Sequence, residues 1–275
     1  MNNKQTRISF ILVSKDRPQL AKKAIEDIKN IISENDELIV VNGGTTSIDH
    51  PLINKTIHEP DKSPGHAVNK GIMIAEGKYI RVVTDDDIVR KKQLYDAIKI
   101  MDDDESIDFL VCGGIREKEN ECYPFFIPKG SNYGENINDI SKYGACGAGF
   151  IQRTKSISLI GLQPIGLASD VEYVIQAIYN GGKVKFCRIN LFHHPIHEDS
   201  VTIKHKDEWQ KDLLNIYKKY GIKTDQRTIF KKIIVTIVKL IFSKFYAKRQ
   251  DKYNIRIFNK DLLNINSDLW DKGFS

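Results

Sequence analysis

The sequence predicts an α/β domain: a mostly parallel sheet with helices on both faces, followed by a helical C-terminal extension. Three observations predict it. Ile8–Val13 is a near-continuous apolar run, as a strand buried on both faces requires. Behind it, Pro18 suits a first helical turn, and Leu20, Ala21, Ala24, Ile25, Ile28 and Ile32 recur at helical spacing before a second apolar run, Leu38–Val41. That β–α–β order implies a parallel pair with a right-handed crossover. Third, in Ile80–Val89 an apolar segment (Ile80, Val82, Val83) leads straight into Asp85, Asp86 and Asp87. The carboxyl ends of strands are where open α/β sheets hold their ligands.

The chain of 275 residues has room for one full domain plus an appendage. The division is expected near residue 205, with 1–205 as the α/β domain and 206–275 as the extension. An apolar content of 41% supports a real core, and a net charge of +6 means that any basic partner surface is local. Cys112, Cys122, Cys146 and Cys187 are scattered, with no pair at zinc-ligand spacing, and read as reduced thiols of a cytoplasmic protein. The N-terminus runs into the first strand without a signal-peptide pattern, and no apolar stretch reaches the ~20 residues that span a bilayer. Neither a Gly-x-Gly-x-x-Gly nor a Walker A loop follows the first strand. This excludes simple nicotinamide enzymes and P-loop nucleotidases.

The remaining elements follow in order. Asn42-Gly43-Gly44 breaks the second strand, and Ile57–Pro60 is a short third one with its exit. Ser63-Pro64-Gly65 opens a helix that Gly77 ends. Lys91–Met101 is a further helix and Ile107–Val111 a further strand. From Gly113 to Ala145 the pattern weakens, apart from the aromatic Tyr123–Ile127; here a second substrate would be selected. Gly144–Phe150 is a loop of small residues, which lets backbone amides approach a ligand. A helix runs from Asp170 to about Asn180, Gly181-Gly182 closes it, and Val184–Cys187 is the last core strand.

Chemistry concentrates at two places. Three adjacent carboxylates repel one another unless a cation sits among them, and Mg²⁺ or Mn²⁺ carrying phosphates is the usual occupant. The alternative is a solvated acidic turn; Asp102–Glu105, a similar cluster with no strand feeding it, shows how easily an acidic run arises. His193, His194 and His197 fall within five positions beside Glu198 and Asp199, a pattern suited to a metal or phosphate site. Asp170 is explained equally by a helix N-cap. In the tail, Arg227–Arg249 holds seven basic and no acidic residues, interleaved with Ile229, Phe230, Ile233, Ile234, Ile237, Leu240, Ile241 and Phe245. It reads as a basic amphipathic helix on an anionic membrane surface, or as a helix docked on the core or a second copy. No stacking pattern supports nucleic acid.

Taken together, these pieces resemble the GT-A glycosyltransferases, in particular the inverting family 2. The resemblance rests on Ile8–Pro18, Asp36–Gly44, Gly65–Ile72 with Ala75–Ile80, Gly147–Phe150, Asp170-Val171-Glu172 and His193-His194-Pro195-x-His197, covering roughly residues 7–200. It implies a GT-A fold and an inverting, metal-dependent transfer from a nucleotide-diphosphate sugar to a glycan or lipid-linked acceptor, in surface polysaccharide synthesis; the basic tail would suit an acceptor met at the inner face of the membrane. It implies Asp170 as the catalytic base and Asp86 and Asp87 with His194 or His197 as ligands of Mn²⁺ or Mg²⁺. Ser14, Asp16, Arg17, Asn42, Asn69, Asp85, Gly147 and Ala148 would bind the nucleotide sugar. Three positions depart from the family pattern: Asn42 stands where an Asp usually meets the base, Val68 where an Arg is frequent, and Ser169 where a Glu precedes the Asp. Two rivals accompany this reading: a sugar nucleotidyltransferase, and a non-catalytic sugar-nucleotide-binding protein at the membrane.

Overall fold

The computed structural model describes residues 7–118, 121–125, 137, 145–196, 200 and 204–222. The predicted strands form, and a two-residue strand that the sequence did not predict, β5, joins them. They are β1 (Ile8–Ser14), β2 (Glu37–Asn42), β3 (Lys55–His58), β4 (Tyr79–Thr84), β5 (Ile88–Val89), β6 (Phe109–Lys118), β7 (Glu121–Phe125), β8 (Phe150–Arg153) and β9 (Val184–Pro195). Helices α1 (Pro18–Lys29), α2 (Pro64–Ile74), α3 (Lys91–Asp103), α4 (Ile157–Ile160), α5 (Ser169–Tyr179) and α6 (Lys206–Lys219) lie between and after them.

Eight strands run in the order β3-β2-β1-β4-β8-β6-β9-β5, and β7 pairs with β6 off this path. β1 sits between β2 and β4, parallel to both, and every one of its residues is buried. β8 enters antiparallel between β4 and β6, and β9 returns parallel to β6. The sheet is therefore mixed around a parallel half, as the uninterrupted apolar strands require. One face packs α1 and α3 through Ala21, Ala24, Ile25, Ile28, Leu94, Ala97, Ile98 and Met101. On the other face α2 covers β1 and β2 through Ala67, Val68 and Ile72, and α5 covers β6 and β9 through Val171, Val174 and Ile175.

Local chemistry sets several boundaries. Ser63 caps α2 by accepting from the His66 amide at 3.2 Å, with Pro64 in the first turn. α1 likewise starts at a proline. Two strands outrun their expected lengths. β6 continues past Val111 to Lys118, and β9 past Cys187 to Pro195, because they pair with each other through a register shift at Cys112–Gly114. The bulge realigns the pair, so ladder hydrogen bonds continue through residues with no alternating apolar pattern.

The first helix of the extension belongs to the core. Ile216, Tyr217 and Ile222 are buried in a cluster with Phe109, Val111, Tyr173 and Val174, and Lys219 meets the buried Glu172 at 2.6 Å. Among the described residues, the packing of this cluster therefore spans both sides of residue 205. The basic stretch 227–249, the expected membrane helix, lies outside the described residues. No helix among the described residues is long and apolar enough to cross a membrane.

Candidate active site

The carboxyl ends of β1, β2 and β4 come together because the three strands are parallel neighbours. β4 ends at Thr84, the chain turns through Asp85–Asp87, and β5 then pairs antiparallel with His193 and Phe192 of β9. That short pairing brings the histidine strand to the acid turn. His194 Nδ1 lies 2.7 Å from Asp87 Oδ1. Thr84 Oγ1 lies 2.7 Å from Asp86 Oδ1 and 2.6 Å from Asp87 Oδ2, so its hydroxyl donates to one of the two and holds the pair together.

Asp85 faces the other way, toward β1. It accepts from Ser14 Oγ at 2.6 Å and pairs with Arg17 Nη2 at 2.5 Å. Arg17 also reaches Asp86 at 3.3 Å. Burial pushes the Asp85 carboxyl up to about 6, and the charges of Asp86 and Asp87 add to it, against the opposing pull of Ser14 and Arg17. Burial disfavours the charged His194 imidazolium, but the Asp87 hydrogen bond and the charges of Asp87 and Asp86 outweigh it and raise its pKa. The neighbouring His193 points elsewhere: its Nε2 is 2.8 Å from Glu117, and burial lowers its pKa in spite of that partner.

Asp86, Asp87 and His194 each offer one ligand atom, and these atoms lie within 4.8 Å of one another. Two carboxylate oxygens and an imidazole form a donor set suited to a divalent cation of hard or borderline character. The residues present therefore fit a metal. His197, the other expected ligand, lies outside the described residues.

The expected base stands across the loop of small residues. Asp170, in the first turn of α5, accepts from the Val171 amide at 2.8 Å and from the Gly147 amide at 3.2 Å. It is not the N-cap, which is Ala168. Enclosure by protein raises the Asp170 pKa, against the two amides and the His194 charge that favour the carboxylate. Cys146 feels both groups: burial, then the charges of Asp170 and Asp87, push its thiol up to about 12. A thiol so held is un-ionised at neutral pH and no nucleophile. Gly149 packs against Cys112 closely enough that a side chain there would collide with the Cys112 carbonyl.

Other expected donor contacts are engaged within the protein. Asn42 donates from Nδ2 to the Thr46 carbonyl at 2.7 Å and accepts from the Gly44 amide at 2.9 Å, shaping the loop after β2. Asp16, in the left-handed region at φ 54, accepts from the Thr45 amide at 3.2 Å; Asp tolerates that conformation better than most residues. Asn69 exchanges two hydrogen bonds with Gln163, at 2.8 and 2.9 Å. The Gly147 amide is taken by Asp170, and the Ala148 carbonyl accepts from Arg81. Two residues were passed over in the sequence: Thr84, whose signal is a hydroxyl directly ahead of the acid triplet, and Arg81, a charge inside an apolar strand.

The model for glycosyl transferase family 2 matches residues 9–158, more than half of the chain, with Ser14, Arg17 and Asp85–Asp87 inside the match and Asp170 and His194 beyond it. The chain belongs to glycosyl transferase family 2. A curated relative, an uncharacterized glycosyltransferase of Rickettsia bellii (strain RML369-C), is 29% identical over 112 residues, which is 38% of this chain and 16% of that protein. The family 2 chain thus spans about a sixth of that relative. Among solved structures, S. aureus TarS in complex with UDP-GlcNAc superposes with a TM-score of 0.55 at 15% identity, over 76% of this chain and 65% of that one. Mannosyltransferase PcManGT from Pyrobaculum calidifontis, in complex with GDP-Man and Mn²⁺, gives 0.57 at 14% identity, over 88% and 71%. At these identities the likeness speaks for the fold, and the family 2 domain has the GT-A glycosyltransferase fold.

Proposed function

We propose that this family 2 domain transfers a sugar from a nucleotide-diphosphate donor to a hydroxyl of a glycan or lipid-linked acceptor, with inversion. The observation that carries the reading is the placement of two unlike acid groups around one loop. Asp87 of the Asp86–Asp87–His194 donor set and the separate Asp170 are both near enough to Cys146 to perturb its thiol, and the His194 charge in turn acts on Asp170. In such a transfer the acceptor oxygen attacks the anomeric carbon. The bond to the diphosphate breaks with its electron pair leaving on the nucleotide, and the acceptor proton passes to a carboxylate. Asp170 is the base: its raised pKa makes it more basic than a free aspartate, which favours proton uptake near neutral pH.

Mn²⁺ or Mg²⁺ held by Asp86, Asp87 and His194 would supply positive charge to the departing diphosphate. Asp85, fixed by Ser14 and Arg17, meets the ribose, and Arg17 adds a cation at the same end of the sheet. The complexes of TarS with UDP-GlcNAc and of PcManGT with GDP-Man and Mn²⁺ support a nucleotide-sugar donor and a divalent ion here. The basic, acid-free stretch 227–249 supports an acceptor met at an anionic membrane surface, as in surface polysaccharide synthesis.

A thermal-shift screen of UDP, GDP and other nucleoside diphosphates, each with and without Mn²⁺, tests the donor site. A ligand that binds only the folded form raises its melting temperature. Nucleotide release from the matching sugar donor in the presence of an acceptor mixture then tests transfer. A shift for one nucleotide that needs Mn²⁺, followed by acceptor-dependent release, is expected. Pyrophosphate release from a nucleoside triphosphate would instead identify a nucleotidyltransferase.

A further inference from the structure

Arg81 sits in the middle of β4 and is completely buried, on the strand face that also presents Tyr79 and Val83 to the α1–α3 core. A guanidinium stays charged under all ordinary conditions, and burying it is costly unless its donors are satisfied. An apolar side chain of similar length would fill this position without that cost. The arginine's donors go to backbone: Nη2 to the Ala148 carbonyl at 2.6 Å and Nη1 to the Phe150 carbonyl at 3.1 Å. Its Nε is buried with no hydrogen-bond partner among the described residues, so the fork is aimed at the loop and not optimised for its own strand. Asp87 provides the nearby balancing charge.

The loop that Arg81 grips is the one whose Gly147 amide donates to Asp170. The strand that carries Arg81 ends at Asp85–Asp87. Arg153, the other large buried cation, shows what a purely architectural arginine does: it binds the Ile107 and Met101 carbonyls at the opposite end of the sheet, away from the site.

We propose that Arg81 is a positioning residue. It clamps the Gly147–Phe150 segment onto β4, so that the Gly147 amide meets the Asp170 carboxylate and the base keeps its place relative to the acid turn of the same strand. The inference rests on the reading of Asp170 as base.

The test compares Arg81→Met and Arg81→Lys with the intact chain. Amide hydrogen exchange over Cys146–Phe150 is expected to accelerate in Arg81→Met while β1 and β2 are unchanged. The transfer kcat should fall about tenfold to a hundredfold, as for a sub-ångström misplacement of a catalytic group, with the donor KM within about threefold. In an Asp170→Asn background the same Arg81→Met change should cost less than about threefold, because residues acting as a unit are not additive. Arg81→Lys, which keeps the charge but not the fork, should lie between; it also serves if Arg81→Met fails to fold. Unchanged exchange at Cys146–Phe150 in the Lys variant, or an equal loss of kcat with and without Asp170, overturns the proposal. If Asp170→Asn alone keeps the wild-type rate, the base assignment falls instead, and the exchange measurement still decides whether the clamp exists.

Discussion

The two ends of β4 carry acid clusters of opposite character. At the Tyr79 end, Asp102 meets Lys78 at 2.6 Å, the Tyr79 hydroxyl at 2.6 Å and Arg7 at 3.1 Å. Partial burial works against its charge, but these partners win and hold it down at about 2. Its neighbours Asp103 and Asp104 have lysine partners too. At the Thr84 end burial wins: Asp85 is raised to about 6 even with Arg17 beside it, and Asp87 shares the hydroxyl of Thr84 with Asp86 and leans on a histidine. The first cluster is electrically complete. The second is short of positive charge by its own construction, and a divalent ion with its nucleotide is the kind of ligand that would complete it.

Five substitutions sharpen or break that contrast. The largest effect is expected from Asp170→Asn. Loss of a general base costs about 10²- to 10⁴-fold in rate, so kcat should drop by that order with donor binding retained, read by steady-state transfer and by nucleotide thermal shift. Next, Asp86→Ala and His194→Ala should abolish the Mn²⁺-dependent part of the nucleotide thermal shift. A ligand at a hundred times its Kd stabilises by about 2.7 kcal/mol in all, which bounds that part from above. Treatment of the wild type with a chelator should mimic both variants, and added Mn²⁺ should reverse it.

Asp85→Asn separates binding from stability. The folded pKa of Asp85, about 6, lies above the ordinary 3.8. Native Asp85 therefore stabilises most below about pH 4, and that contribution is lost as pH rises through 6. The variant should remove this slope, melt no lower than wild type at pH 7.5, and bind nucleotide more weakly; a lower melting point there would show that the Ser14 and Arg17 contacts outweigh burial. The smallest effect is expected at the far end. Asp102→Asn should cost under about 1 kcal/mol, as for solvent-screened pairs. Because the folded pKa is depressed, the wild-type advantage should be present above about pH 4 and vanish as pH falls toward 2. Acid melting curves of the two proteins should converge there.

Much of this was legible in the residues. Continuous apolar runs marked β1, β2 and β4, and the triplet at the end of β4 marked the ligand edge, because both are local patterns. The length of β9 was not legible. Past Cys187 its residues lose the apolar signature, and only pairing with β6 across a bulge keeps them in the sheet. His194 was placed after the last core strand, whereas it lies within β9 and meets Asp87 of the acid turn. Asn42, Asp16 and Asn69 carry the right chemistry for a donor site, yet their side chains bond loop backbone. Such use depends on which amides a fold leaves without partners, and spacing does not report it.

By itself the sequence determined the parallel core, the helix starts at Pro18 and Pro64, and the position of three aspartates at a strand exit, since each follows from residues a few places apart. Tertiary structure alone decided that His194 meets Asp87 across 107 positions and that Gly147 meets Asp170 across 23. It also aimed the Arg81 guanidinium at the Ala148 and Phe150 carbonyls, across more than 60 positions. Contacts of that kind form only after strands from distant parts of the chain have paired, and their geometry is set by register and burial.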